Sequence, residues 1–116
     1  MYGATPLHTA VFHGHLTAVN HLLFEAGADI MARNNDYRNI MHMASLFSKL
    51  EILKFLVTET SHNLEAVDFH GMTALHLASM NGQLDNVKYL LREAGADLGA
   101  LDTSRQSSLH HAALRG

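Results

Sequence analysis

The chain contains no cysteine, which excludes a disulfide framework and every site that depends on a thiolate. No apolar stretch approaches the length that a membrane span requires. Residues 1–10 also lack the charged and then apolar pattern of a signal peptide. These absences leave the compartment unknown and give only slight support to a cytoplasmic location.

Basic residues are few and scattered. The 8 Lys and Arg residues stand against 11 Asp and Glu, the formal net charge is −3, and Lys and Arg form no run. Such a chain offers no electrostatic reason to bind nucleic acid. Apolar residues make up 47% of the 116 residues, which suits one folded domain better than a disordered segment. We therefore expect neither nucleic-acid binding nor membrane contact.

Histidine is abundant, and part of it is periodic. Four of the ten histidines are separated by steps of 34 residues: His8, His42, His76 and His110. An alanine follows each of them two residues later. Leucine keeps the same spacing further along each unit, at Leu16, Leu50 and Leu84. A fixed period of this length indicates a repeat protein.

Each unit is predicted to form two helices. A residue that favours the helix N-cap opens the first helix of each unit, at Thr5, Asn39, Thr73 and Ser107. A second helix carries apolar residues at helical spacing, as at Leu16, Val19, Leu22 and Leu23. Two short helices cannot bury a core alone, whereas stacked units can. The predicted units comprise residues 3–36, 37–70, 71–104 and, in part, 105–116.

Several motifs recur in this register. They are Gly3-Ala4-Thr5-Pro6-Leu7-His8, Gly14-His15-Leu16, and the pair Gly27-Ala28-Asp29-Ile30 and Gly95-Ala96-Asp97-Leu98. These motifs resemble the ankyrin repeat. The resemblance implies an all-α solenoid of stacked helix-turn-helix units joined by short hairpin loops. It covers residues 1–116 as a single array, which we expect to be a segment of a longer one. The second unit departs most, with Tyr37 and Ser48 at glycine sites.

The histidines admit two interpretations. A metal site could use His13, His15, His21 and the pair His110-His111, because imidazole is a common zinc ligand. The resemblance instead implies that each periodic histidine bonds the N-cap and the backbone and ties neighbouring repeats together. We favour this structural role and expect the rings to stay neutral. The residues predicted to be structural are Thr5, His8, Asn39, His42, Thr73, His76, Ser107 and His110. We expect no metal site.

The sequence has no motif for catalysis. It lacks a Gly-rich phosphate loop and a Gly-x-Ser-x-Gly elbow. Ser107 and His110 bring a nucleophile type near a base type, but a helix cap already explains their spacing. We therefore expect no enzyme activity, no catalytic residue, no cofactor and no small-molecule substrate.

The resemblance implies a scaffold that binds a partner protein through its concave face. The alternative is a structural or regulatory repeat segment packed within a larger protein, such as a channel, toxin, effector or enzyme. The positions carried over on the helices are Phe12, His13, Leu46, Phe47, Met80, Asn81, Leu114 and Arg115. Those on the hairpin tips are Asn35, Asp36, Arg38, Phe69, His70, Met72, Thr103, Ser104 and Gln106.

Apolar and aromatic residues at these positions are expected to form an exposed stripe. Such a patch usually marks an interface. Its members are Phe12, Leu46, Phe47, Phe69, Met72 and Met80. We expect Phe47 and Phe69 to be the anchors and Arg38, beside Tyr37, to be the main charged contact. The competing expectation is that some of these side chains pack between repeats, above all Leu46 and Phe47.

Overall fold

The fold was taken from a computed structural model, which describes residues 5–47, 49–60 and 64–107. These residues form six helices and no strand: α1 (Pro6–Phe12), α2 (Leu16–Phe24), α3 (Ile40–Leu46), α4 (Leu50–Glu59), α5 (Ala74–Met80) and α6 (Leu84–Arg92). They are the helix pairs predicted for the first three units. His110, Leu114, Arg115 and the rest of the predicted partial unit after Ser107 lie outside the described residues.

The helix pairs stack in chain order. The first helices form one layer, in which α3 packs between α1 and α5. Each second helix packs on the first helix of its own unit, and α4 also packs on α6. The array is elongated, with principal extents of 40 × 27 × 22 Å. The all-α repeat solenoid expected from the sequence is confirmed.

The core runs between the two layers. Helices α3 and α5 are buried almost throughout, because each has a neighbouring unit on its flank. The second helices bury only one face, for example Ile52, Leu53 and Leu56 of α4. A fully buried aliphatic side chain of this kind contributes about 1.5–3 kcal/mol to folding. The repeat is therefore held together by apolar contacts between units as much as within them.

Three hairpins of the same design follow the second helices, at residues 34–38, 68–72 and 102–106. The first residue of each hairpin donates its backbone N–H to the carbonyl of the last, over 3.0, 3.1 and 2.9 Å. Its side-chain oxygen accepts two more backbone N–H groups, at 2.9 and 3.0 Å in the case of Asn34. Asp68 and Asp102 repeat this arrangement, and all three residues are buried. These buried acceptors fix the shape of every hairpin.

One position in each hairpin has a left-handed backbone. Tyr37, Gly71 and Arg105 have φ of 60°, 72° and 60°, a region that costs a residue with a Cβ about 1–2 kcal/mol. Gly71 has a second constraint, since a Cβ there would lie 2.8 Å from the backbone nitrogen of Thr103. The third hairpin thus approaches the second so closely that only glycine fits at position 71.

This close approach predicts that Gly71→Ala destabilises the protein more than a matched change at Gly27. Both glycines have a positive φ, but a Cβ on Gly27 would meet no atom within 4 Å. Both alanine variants carry the left-handed strain, and Gly71→Ala adds an overpacking cost of about 1–3 kcal/mol. Urea unfolding of the two variants measures the difference, and equal midpoints would contradict the close packing of the hairpins.

Candidate protein-binding surface

A histidine clamp links the first helix of each described unit to the segment that follows the second helix. In α1 the Thr5 hydroxyl oxygen lies 2.8 Å from His8 Nδ1, and His8 N–H donates to the same oxygen at 3.3 Å. His8 Nε2 lies 2.9 Å from the carbonyl of Arg38 in the following hairpin. Because a carbonyl can only accept, Nε2 carries the proton and Nδ1 is the acceptor for the cap. One neutral ring therefore forms hydrogen bonds both to the N-cap of its own helix and to the hairpin that follows.

The same clamp occurs in the other two described units. Asn39 with His42 and Thr73 with His76 form capping boxes on α3 and α5. His76 Nε2 lies 3.1 Å from the carbonyl of Gln106, which is again 30 residues further along the chain. Thr5, Asn39 and Thr73 each pair with the histidine three residues later, as the sequence analysis expected of these six residues. Ser107 is described, but the helix that it would cap is not, and His110 lies outside the described residues.

His42 differs from the other two clamps in its carbonyl partner. Its Nε2 donates over 2.9 Å to Ala66, 24 residues ahead, and not to the carbonyl at the hairpin's end. The ring is 1% exposed. Burial lowers the pKa of His42 from 6.5 to about 4, because the charged ring loses its hydration. The second hairpin is therefore held in place by contacts other than a histidine clamp.

Arg38 supplies one of those contacts. Its Nε donates to Asp68 Oδ2 at 3.1 Å, and the Asp68 side chain is fully buried while that of Arg38 is 18% exposed. A buried carboxylate requires a charged partner, and the first hairpin provides it. The guanidinium of Arg38, which was expected to be the main charged contact with a partner, is thus paired within the array.

The hairpin tips form a continuous edge. Phe69 N–H donates to the Asp36 carbonyl at 3.2 Å, and Thr103 N–H donates to the His70 carbonyl at 3.0 Å. We call residues 33–38, 67–72 and 101–106 the hairpin edge. Among the tip positions expected to contact a partner, Met72 and Gln106 are half-buried. The exposed ones are Asn35, Asp36, Phe69, His70, Thr103 and Ser104.

The largest exposed side chains on this edge are aromatic. Tyr37 and Phe69 stack with ring centroids 5.3 Å apart and an interplanar angle of 22°. They are 46% and 67% exposed. Arg33 lies over the Tyr37 ring at 4.3 Å. Phe69 was expected on this surface, whereas the participation of Arg33 was not, because the repeat pattern assigns no role to its column.

The first helices expose fewer apolar side chains than the sequence predicts. Leu46 is 6% exposed, so the expectation of an exposed Leu46 is wrong: α3 is covered by α1 on one side and α5 on the other. Phe47 is half-buried and packs against the core, with an edge contact to Phe12 at 5.0 Å. Met80 is half-buried as well, while Phe12 and His13 remain exposed. The expected stripe is thus interrupted in its middle.

Two asparagines of the third unit cap the end of α3. Asn81 Nδ2 donates to the Leu46 carbonyl at 3.1 Å, and Asn86 Nδ2 donates to the Ser45 carbonyl at 2.9 Å. The second unit has Ser48 where the other units have a glycine that ends this helix. Asn81, expected at the partner-binding surface, has its amide engaged in this cap. The sequence analysis did not identify Asn86, which is buried.

The described histidines outside the clamps form no common cluster. His13 and His15 stack with ring centroids 6.0 Å apart, and His21 Nδ1 lies 2.7 Å from the Glu25 carboxylate. In the described ranges, no three side chains of the metal-binding types group so that they could hold an ion. No helix in that part of the chain combines the length and the apolar character needed to cross a membrane.

Comparison with known families agrees with this geometry. A model of ankyrin repeats, in three copies, matches residues 7–102. The chain belongs to the ankyrin repeat family. Ankyrin repeats generally mediate protein–protein interactions and are typically non-enzymatic scaffolds. A comparison with curated proteins returns no match.

The clamp at His42 predicts acid sensitivity of this ankyrin array. With a pKa of about 4 in the folded state and 6.5 in the unfolded state, the unfolded chain binds the proton first. The contribution of His42 to the free energy of unfolding is therefore fully present well above pH 6.5, and it is lost as the pH drops towards 4. His42 alone is expected to remove about 1 kcal/mol between pH 7.5 and 5.5.

Urea unfolding at the two pH values, on the native chain and on His42→Gln, isolates this contribution. We expect the loss of stability in the variant to be smaller by about 1 kcal/mol. An NMR titration of the His42 ring gives its folded pKa directly, whether or not the variant folds well. A folded pKa near 6.5 would contradict the neutral clamp.

Proposed function

We propose that the chain is a non-catalytic module that binds a partner protein through the hairpin edge and the exposed end of α1. The single observation that carries this proposal is Phe69, whose ring is 67% exposed at the tip of the second hairpin. Aromatic side chains are enriched at protein interfaces, and the core does not use this one. A net charge of −3 favours a protein partner over nucleic acid.

The shape of the edge supports the same proposal. Neighbouring tips are joined by backbone hydrogen bonds, and buried side-chain acceptors brace each hairpin. Exposed side chains on such a support keep their relative positions, so a partner meets an ordered surface at a small entropic cost. The interrupted stripe on the first helices leaves the hairpins, together with Phe12 and His13, as the proposed contact region.

A second candidate, a segment packed within a larger protein, is favoured by the outer face of α2. Only Val19 of this helix is buried, whereas α4 and α6 each bury three residues. Phe24 is 56% and Leu16 38% exposed. Further polypeptide lying on α2 would cover these side chains, and this role is compatible with partner binding at the hairpins.

The test of the proposed function is affinity capture from cells of the native source. We expect at least one protein to be retained by the native chain and lost with Phe69→Thr, which carries the residue found at the equivalent Thr103. Phe24→Ala, on the opposite layer, is the matched control and is expected to retain the protein. Both variants change exposed rings, so the free energy of unfolding should change by no more than about 0.5 kcal/mol.

Retention that is equal for the native chain and both variants would contradict the proposed surface. If the captured protein is lost with Phe24→Ala and not with Phe69→Thr, the contact lies on the second helices. That result would favour the other candidate.

A further inference from the structure

The two exposed rings of the hairpin edge contact each other. Tyr37 and Phe69 belong to different hairpins, yet they stack with an interplanar angle of 22°. Neither ring belongs to the hydrophobic core. Because they are already fixed against each other, a ligand that lies on them costs little further side-chain freedom.

The repeat does not require these rings. The positions equivalent to Phe69 hold Asn35 and Thr103, and the position equivalent to Tyr37 in the next unit holds Gly71. Tyr37 also has a left-handed backbone with φ of 60°, which disfavours a residue with a large side chain. Arg105 has the same φ at the equivalent position of the third hairpin, so this backbone belongs to the hairpin and gives no reason for an aromatic side chain. The pair is therefore explained by recognition better than by folding.

Arg33 adds a fixed positive charge to the pair. Its guanidinium carbon lies 4.3 Å from the centroid of the Tyr37 ring, and Nη1 donates to the carbonyls of Tyr37 and Val67, each at 2.8 Å. Within the described ranges no carboxylate lies within 4.0 Å of this side chain, and Nη1 is the only one of its nitrogens that donates a hydrogen bond there. The buried carboxylate of Asp68 is already paired with Arg38.

Arg33, Tyr37 and Phe69 together form what we call the aromatic platform. We propose that the aromatic platform binds an acidic segment of the partner protein, with a carboxylate on Arg33 and a flat apolar side chain on the two rings. This inference rests on the proposed function and specifies its partner. A guanidinium presents several N–H donors in one plane, which suits a carboxylate, and stacked rings suit aromatic or proline side chains.

The charge pattern is local to this junction. The column that holds Arg33 has Val67 and Leu101 in the following units. Of the two junctions that the structure describes, only the first therefore combines a cation with two rings. A segment bound there therefore has a fixed register along the edge. The carboxylate sets its position beside the first hairpin, and the flat side chain sets its position between the first hairpin and the second.

Selection of random octapeptides displayed on phage against the full chain tests the inference. We expect the enriched peptides to place Asp or Glu beside Trp, Tyr, Phe or Pro. A synthetic peptide of the enriched sequence is then measured by fluorescence anisotropy. We expect Phe69→Thr and Arg33→Gln each to weaken its binding about tenfold, and Arg33→Gln also to reduce the dependence on salt.

Phe24→Ala is the control and is expected to leave peptide binding unchanged. A circular dichroism melt shows whether each variant is folded, and Phe69→Thr carries the test even if Arg33→Gln loses stability. Enrichment of basic or purely apolar peptides, no enrichment, or binding that survives Phe69→Thr would overturn the inference. Cellular capture of a partner that depends on Phe69 but not on Arg33 would also overturn it while leaving the proposed function intact.

Discussion

The neutral imidazole of each clamp histidine is the interaction on which the array depends. One ring accepts from the N-cap of its own first helix and donates to a carbonyl outside that helix. At His8 and His76 a single ring therefore contacts both the N-cap of its own first helix and the next hairpin. At His42 a protonated ring would direct a second N–H at the backbone N–H of Asn39. Burial of these rings supplies the low-dielectric surroundings that make such hydrogen bonds strong.

The structural contacts and the proposed binding surface use different columns of the repeat. The buried acceptors Asn34, Asp68 and Asp102 recur at the same spacing and give three hairpins of one shape. The tip positions 35, 69 and 103 hold Asn, Phe and Thr, so the chain places an aromatic stack in one junction and small or polar side chains in the other. Recognition can therefore change at the tips without cost to the stack, which explains how a regular fold presents an irregular surface.

The fold could be predicted from the sequence because its determinants are local. Caps such as Thr73 and left-handed glycines such as Gly14 act within a few residues. The same residue types recur every 34 residues, so each unit predicts the same helices. The surface could be predicted only in part. Leu46 lies on the exposed side of a lone helix but is covered once α1 and α5 flank it. The Arg38–Asp68 pair, the Asn86 cap and the Arg33 contact all join residues that lie 30 or more positions apart in the chain. Their partners are set by the packing of the stack, which the repeat pattern does not encode.

Chemical denaturation of Thr73→Ala and His76→Ala tests most directly whether the histidine couples neighbouring units. Thr73→Ala removes the cap alone and is expected to cost about 1 kcal/mol. His76→Ala removes the cap contact and also the bond to the Gln106 carbonyl in the following hairpin, so we expect a clearly larger loss of stability. Equal losses in the two variants would mean that the histidine serves only its own helix, and would contradict the account of the clamp.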